Sequence, residues 1–449
     1  MKKTTLLLIA LLCATLASAQ QKVTLRQCVE SALSHNRALQ NASLDILAAN
    51  EQSKEAYTKY YPQISANVMA FQAFDKMIKA DGTIPMEVAA ISQALAPYAG
   101  MPYSISEMNS TYSATLSVIE PIYAGGQIHT ANNLARVQTD VKQLQLQLKE
   151  RDIEQKVTEN YWKIASIKYN LSTLDAAQKQ VDTLYKHVEQ YVNAGVTNRN
   201  DLLKVKLRQQ ELASSRLRLD NARTVLLLLL AQQTGLTHTP IDIDESVSID
   251  DTPSPSGAYK TPSQAAGNRS ELLLAQKAIE AQQLQIKLER GKNLPTVAVG
   301  LIGYNAGIGG LSTTVRNAMK TNYTNAMLNA TVSVPISSWW GGSKAIRRQK
   351  IALQQKQNSL IDTQEQLEVD ILTAWSNLTE AYKQIDIART SVEQATENLR
   401  LSHDQYNAGT ETLTNLLDAE TLHRQAQNTL SDALATYQSR LAIYRLKTR

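Results

Sequence analysis

Two long stretches of the chain repeat apolar residues every three or four positions, with no glycine or proline inside them. Residues 127–194 form the first stretch and residues 343–408 the second. In the first, the apolar stripe runs through Val137, Val141, Leu144, Leu148, Val157, Tyr161, Ile164, Leu171, Leu174, Val181, Leu184 and Val188. This heptad-like spacing predicts two amphipathic helices that pack along supercoiled seams. Each would be about 100 Å long at ~1.5 Å per residue.

Two shorter stretches without glycine or proline follow the long ones, at residues 196–234 and 410–449. An Asn-Ala-Gly sequence precedes each of them and ends in Gly195 or Gly409. Glycine suits the left-handed residue that ends a helix. The pattern therefore predicts that each long helix reverses into a shorter antiparallel helix.

Alternating apolar and polar residues predict two strands, Thr111–Val118 and Asn325–Val334, each ahead of a long helix. Further runs that begin at Pro62 and Pro295 are their expected partners. These lengths approach the ~9–11 residues of a tilted transmembrane strand. Because four strands are too few to close a membrane barrel, and lipid does not tolerate an open edge, several chains must share one barrel.

Trp339 and Trp340 follow the last predicted strand, where an interfacial aromatic belt would lie; ordinary packing is the other interpretation. The predicted loops between paired strands differ in length, at Asp75–Ser110 and Asn305–Tyr323. The longer loop contains an apolar segment, Met86–Pro97, which is either a small lid or a flexible surface loop.

The two halves of the chain match each other at an offset of 213 to 216 residues, which indicates a duplication. The matching features are Trp162 with Trp375, Tyr169 with Tyr382, Asn193-Ala194-Gly195 with Asn407-Ala408-Gly409, and Gly125-Gly126 with Gly341-Gly342. We therefore expect a first repeat at residues 20–240 and a second at 263–449. An acidic, proline-rich connector at 241–262 joins them.

The first 19 residues have the features of a signal peptide. Lys2 and Lys3 precede a short apolar run, and Ala17-Ser18-Ala19 is an A-x-A cleavage site. Cys13 as a lipidation site is the less favoured alternative, because Leu12 is large for the preceding position. Cleavage would leave Cys28 as the only cysteine, so no intrachain disulfide is expected.

Composition narrows the possible functions. The chain has 46 Lys and Arg against 41 Asp and Glu, a net charge of +5, and 43% hydrophobic residues. These values fit neither a disordered tail nor a strongly basic nucleic-acid binder. No stretch after the signal peptide reaches the ~18 apolar residues of a membrane helix; Val225–Ala231 comes closest and is interpreted as a buried helical turn.

No motif for catalysis, metal binding or a cofactor stands out. The six histidines never adopt a metal-ligand spacing and are interpreted as solvated helix residues. Gly300–Gly310 lacks the Lys-Ser/Thr that completes a phosphate loop, and Ile241–Asp251 fits no EF-hand. An enzyme is not expected.

Together, the signal peptide, duplicated halves, strand pairs and reversing helices resemble the TolC-like outer-membrane efflux protein family over the whole mature chain. The sharpest motif is a tyrosine shortly before Gly195 or Gly409, then Asp201 or Asn415 followed by two leucines. The resemblance implies a fold that is mainly α with a membrane β-barrel: a homotrimer with a shared twelve-stranded barrel in the outer membrane. Coiled-coil helices would form an α-barrel tunnel in the periplasm.

The resemblance also implies a function and partners. The chain would be the passive exit duct of a tripartite efflux or type I secretion system. It would contact outer-membrane lipid, a periplasmic adaptor protein and an inner-membrane transporter, with no nucleic acid. The alternative is a soluble periplasmic coiled-coil adaptor or holdase without a channel, which would leave the paired strands unexplained.

In that family, acids at the second helix reversal narrow the periplasmic entrance. The constricting positions fall on Asn415 and Asp418, so only Asp418 would supply a ring of carboxylates. Such a ring attracts cations, while its members repel one another. A solvated acid on a helix surface is the alternative interpretation of Asp418.

Hydrogen bonds between neighbouring helices hold that entrance closed in the family. The residues that form this latch correspond to Tyr406 and Asp201. A further arginine of the latch is replaced here by Glu411, which cannot act as the cationic partner of Asp201. Arg199 is an alternative partner for Glu411. A helix cap and an apolar contact would equally explain Tyr406 and Asp201. The adaptor-docking tip falls on Gly195, Val196, Gly409 and Thr410, although the glycines are also expected to end helices.

Overall fold

A computed structural model describes residues 21–74, 80–83, 100–105, 110–237, 240–244, 252–267, 269–309 and 322–449. The predicted signal peptide, with Cys13, and the apolar segment Met86–Pro97 lie outside the described residues. The described part is mostly helical, with a few strands. None of its helices is both long enough and apolar enough to cross a membrane.

The elements follow in chain order. They are β1 Gln21–Val23, α1 Leu25–His35, α2 Arg37–Tyr57, β2 Gln63–Gln72, β3 Ala80–Thr83, β4 Pro102–Ile105, β5 Ser110–Ala124, α3 Gln127–Asn193, α4 Arg199–Thr234, β6 Ile241–Ile243, α5 Pro262–Gly267, α6 Ser270–Gly291, β7 Thr296–Gly309, β8 Asn322–Ser333, α7 Ser338–Asn407 and α8 Leu413–Lys447. The contacts divide the chain into two compact units. The described residues within Ala49–Thr139 and Ile279–Gln355 form the strand unit. Those within Met1–Ala48, Asp140–Ala278 and Lys356–Arg449 form the helical unit.

The strand unit contains a four-stranded antiparallel sheet in the order β2-β5-β7-β8. Its register aligns apolar residues of all four strands on one face: Ile64, Ala66, Val68, Leu116, Val118, Leu301, Leu328 and Val332. Val68 is 79% exposed and Leu328 is 76% exposed. The opposite face carries polar groups, such as the Ser65 and Ser117 hydroxyls, 2.7 Å apart.

Two predicted loops are shorter than expected. β7 continues through Asn305 to Gly309, because these residues extend the ladder with the start of β5. Inside the predicted Asp75–Ser110 loop, β3 and β4 form a short antiparallel pair. β5 runs beyond Val118 to Ala124, with an irregular register between Pro121 and Tyr123.

The helical unit buries the predicted stripe. The apolar residues of α3 that are under a tenth exposed are Val137, Ile153, Val157, Tyr161, Trp162, Ile164, Leu171, Leu174, Val181, Leu184 and Val188. In α7, Ile371, Leu378 and Ile385 are buried in the same way. The heptad-like pattern thus indicated the core-facing side of both helices, although Val141, Leu144 and Leu148 of the predicted stripe are only half-buried.

The second long helix begins earlier than predicted, at Ser338 rather than residue 343. Gly341 and Gly342 therefore lie within α7, whereas Gly125 and Gly126 precede α3 with φ of +60° and +73°. A Cβ on Gly125 would lie 2.3 Å from the carbonyl oxygen of Gly291, so that site excludes larger residues. In α7 a Cβ on Gly342 would meet the side chain of Asn293, whereas Gly341 has open space around it.

Trp339 and Trp340 lie in the first turn of α7 and are 53% and 82% exposed. The Trp339 indole donates a hydrogen bond to the carbonyl of Asn293, 3.1 Å away.

Part of the expected connector is ordered within the helical unit. β6 pairs in parallel with β1, and Asp242 within it is 7% exposed. Its carboxylate accepts from Lys168 at 3.2 Å and Arg223 at 2.8 Å. These ion pairs compensate the burial of the charge.

Candidate functional site at the helix reversals

Both helix reversals lie in the helical unit and have the same backbone geometry. Gly195 and Gly409 each adopt φ of +75°, the left-handed conformation that ends a helix. After the first glycine, the Val196 amide donates to the carbonyl of Tyr191 at 2.8 Å; after the second, the Thr410 amide donates to Gln405 at 3.0 Å. These bonds satisfy carbonyls that the helix ends leave free. Both glycines therefore end helices, as expected.

Each return helix begins with a side-chain cap. The Asn198 side chain accepts from the Asp201 amide, and the Thr412 hydroxyl accepts from the Asn415 amide. Asp201 and Asn415 thus occupy equivalent positions in the first turns of α4 and α8. A carboxylate in a first turn is stabilised by the helix dipole, and the first turn of α8 contains no acidic residue.

Asp201 has a cationic partner that sequence analysis missed. The Lys204 ammonium donates to Asp201 Oδ1 at 3.4 Å and to Thr414 Oγ1 at 3.0 Å. Thr197 donates to the other carboxylate oxygen at 2.7 Å. Lys204 therefore connects the start of α4 to the start of α8. The three-residue spacing of Asp201 and Lys204 on one helix was the available signal.

Tyr406 lies close to Asp201 without bonding to it. Burial, followed by the negative charge of Asp201, raises the pKa of the Tyr406 hydroxyl. The ring packs beside a buried cluster that includes Leu184, Val188 and Leu416. Within the described ranges, no hydrogen bond joins the Tyr406 hydroxyl to the carboxylate. Within one chain the two residues of this predicted pair therefore lie close together, but they form no hydrogen bond with each other.

Glu411 is held within its own reversal. Its Oε1 accepts from the Thr412 amide at 3.0 Å and from the Asn415 side-chain amide. Arg199 lies exposed in the first turn of α4. Between the described side chains of one copy, Arg199 and Glu411 form no ion pair within 4.0 Å.

Asp418 is exposed on α8, whereas Glu420, two residues further along, faces inward. Burial raises the pKa of Glu420 to about 7, and the nearby charge of Arg208 opposes this only in part. The Oε2 atom of Glu420 is shielded from solvent and accepts no hydrogen bond from the described residues. Sequence analysis did not single out Glu420, because its spacing alone does not show which side of α8 is covered.

A cavity of about 620 Å³ lies between α3, α7 and α8. Tyr406, Glu420, His187, His403 and His423 are among its lining residues. His187 and His403 are exposed, as expected for solvated histidines, but His423 is half-buried and burial lowers its pKa. The described residues form no cluster of His, Cys, Asp and Glu that could hold a metal ion.

The reversals thus form a tip held by capped turns, by the bridge from Lys204 to Thr414 and by the buried cluster that contains Leu184, Val188 and Leu416. Polar side chains there bond to helix starts or to each other, and the carboxylate of Asp418 remains open to solvent.

One family of known proteins matches nearly the whole chain. The sequence profile described as outer membrane efflux protein matches residues 28–232 and 261–446. A search of curated protein sequences finds no match.

Several solved structures share the fold. A membrane protein from Pseudomonas aeruginosa is 15% identical with a TM-score of 0.74, covering 95% of this chain and 93% of its own. The outer membrane protein VceC of Vibrio cholerae is 14% identical with a TM-score of 0.69, covering 94% and 96%. The open-state MtrE outer membrane channel of Neisseria gonorrhoeae is 16% identical with a TM-score of 0.71, covering 94% and 88%.

Proposed function

Since that profile matches more than half of its residues, the chain belongs to the outer membrane efflux protein family, and we propose that it forms the exit duct of a tripartite efflux or type I secretion system. It is accordingly an outer-membrane efflux channel protein with a large periplasmic portion, and its family is one of channels rather than enzymes. The duct would conduct cargo passively from the periplasm to the exterior.

The observation that carries this proposal is the four-stranded sheet. Its apolar face is exposed in one copy of the chain, and β2 and β8 are its two edge strands. Open edges are costly in lipid because their backbone groups remain unpaired. We propose that three copies pair these edges into a shared twelve-stranded barrel. The soluble coiled-coil adaptor or holdase is not supported, since it offers no role for an exposed apolar sheet face.

The helix reversals would form the periplasmic entrance of that duct. Asp418 and Asn415 would line its narrowest part, while Tyr406, Asp201, Glu411 and Arg199 would hold neighbouring hairpins together. Because Arg199 and Glu411 do not pair within one copy, their pairing would be between copies. We add Lys204 to this set because its hydrogen bond to Thr414 joins the two reversals.

The exposed tip would dock a periplasmic adaptor protein, which links the duct to an inner-membrane transporter. Gly195, Val196, Gly409 and Thr410 form this surface, and Val196 is 73% exposed. An apolar residue at such a position suits a protein contact.

A pair of arginine substitutions on opposite faces of β8 tests the barrel. Leu328 lies on the apolar face and Asn325 on the other. Leu328→Arg places a charge toward lipid, which costs about 2–4 kcal/mol near the bilayer midplane. We expect it to reduce the amount of protein in outer-membrane fractions, whereas Asn325→Arg inserts normally and changes conductance in planar bilayers. Equal loss for both variants, or normal insertion of Leu328→Arg, would contradict the barrel.

A further inference from the structure

An arginine-rich groove lies along α4, beside α8, in the helical unit. Its cavity volume is about 470 Å³. Three guanidinium groups line it, from Arg208, Arg218 and Arg424, together with one carboxylate, Glu211. The hydroxyls of Ser214 and Ser215 line the same groove and add polar partners.

Arg208 is the most deeply placed of these groups, with only 9% of its surface exposed. Its Nη1 donates to Glu211 Oε2 at 3.1 Å, so the single carboxylate of the groove is already engaged. Its Nε is shielded from solvent and donates to no described group. A buried guanidinium with an unused donor is costly unless a further acceptor is supplied.

Arg424, on α8, also has an unused hydrogen-bond donor. Its Nε is also shielded and has no hydrogen-bond partner among the described residues. Burial and the positive charge of Arg208 lower its pKa, while Glu211 opposes this only in part. Arg218 has a weaker contact, donating to Ser215 Oγ at 3.2 Å. Like charges therefore converge here without enough negative charge to balance them.

The remaining nearby acid does not supply that balance. Glu420 lies one turn before Arg424 and close to Arg208, but its carboxyl forms no ion pair within 4.0 Å among the described residues. Three cationic side chains thus face one engaged carboxylate. Planar guanidinium groups match the geometry of carboxylate, sulfate and phosphate oxygens, which accept two bonds at once.

We propose that the groove between Arg208, Arg218 and Arg424 binds an oxyanion, a carboxylate or a phosphate- or sulfate-type group. The oxyanion is either a small solute or an acidic side chain of a second copy of the chain. In both cases it accepts bonds from the converging guanidinium groups and offsets their repulsion. The groove begins about one helical turn beyond Lys204 on α4, its residues are not those proposed to form the entrance, and its binding does not depend on conduction.

The test uses the full-length, detergent-extracted protein and inorganic sulfate as the probe. Thermal unfolding is followed as sulfate replaces chloride at constant ionic strength, and sulfate binding is measured by isothermal titration calorimetry. The test variants are Arg424→Gln and Arg218→Gln. Arg389→Gln is the matched control, because Arg389 is exposed on α7 and forms no ion pair within the described chain.

If a small solute fills the groove, sulfate raises the unfolding temperature of the wild type and the control in a saturable way. Each groove variant then weakens sulfate binding about tenfold or more. If a neighbouring copy supplies the carboxylate, sulfate has no specific effect, but Arg424→Gln makes the oligomer dissociate at lower SDS concentration than Arg389→Gln does. Absence of both effects overturns the proposal. Neither readout needs an open channel, so this result is separate from the test of the duct.

Discussion

Replacing Glu420 by glutamine should stabilise the protein above neutral pH and have little effect in acid. Burial raises the pKa of this carboxyl from the usual 4.5 to about 7. The folded protein therefore holds a proton that the unfolded chain has already lost between these two pH values. Stability then falls as the pH rises from 4.5 to 7, and the full penalty is present above 7.

The shift sets the magnitude of this effect. At 1.36 kcal/mol per pKa unit, ionising Glu420 in the folded protein costs about 3 kcal/mol per chain. Glutamine keeps the shape of the side chain and cannot ionise. Glu420→Gln should therefore gain about 2–3 kcal/mol at pH 8, visible as a few degrees in unfolding temperature. Near pH 4.5 the two proteins should differ little.

Helix loss is followed by circular dichroism during heating of the detergent-extracted protein between pH 4.5 and 8.5. Glu393→Gln serves as the control, because Glu393 is an exposed carboxyl on α7. The difference between wild type and Glu420→Gln should grow as the pH rises, and that for Glu393→Gln should stay flat. Parallel curves for Glu420→Gln and wild type would refute a buried, proton-holding carboxyl at this position.

Three further results are expected at the tip. Lys204→Met removes the bridge to Thr414 and should raise resting conductance in planar bilayers; unchanged conductance would exclude a latch role. Asp418→Asn should move the reversal potential in a KCl gradient toward zero, while the exposed Glu393→Gln should not. Gly409→Ala should destabilise the protein by about 1 kcal/mol through its left-handed φ, whereas Gly257→Ala, whose φ is not positive, should unfold like wild type.

Much of the fold was readable from local pattern. Stretches without glycine or proline became α3, α4, α7 and α8, and Gly195 and Gly409 end the two long helices. Alternation identified β5 and β8, and the runs that begin at Pro62 and Pro295 were correctly expected to be their partners, β2 and β7. These features depend on residues near each other in the chain, so the period of apolar positions and the conformational freedom of glycine suffice to predict them.

The start of α7 shows where local reasoning failed. The repeat suggested that both Gly-Gly pairs precede a long helix, but only Gly125 meets a close backbone, at Gly291. Gly341 and Gly342 lie inside α7, where Gly341 has open space around it and Gly342 faces the side chain of Asn293 rather than backbone. A distant contact distinguishes two sequences that look alike, and no local pattern records it.

At the candidate site the family resemblance, not a local pattern, suggested that Tyr406 and Asp201 are paired, and it did not predict the bonds that Asp201 forms with Thr197 and Lys204. The chain by itself determined its helices, its reversals and its alternating strands, because backbone propensity and periodicity act over a few residues. Only the tertiary structure decided that Lys204 reaches Thr414 and that Glu420 is buried near Arg208. Each of these contacts joins α4 to α8 across about 210 positions of sequence. Such contacts depend on which faces of α4 and α8 meet, and the packing of the whole helical unit determines those faces.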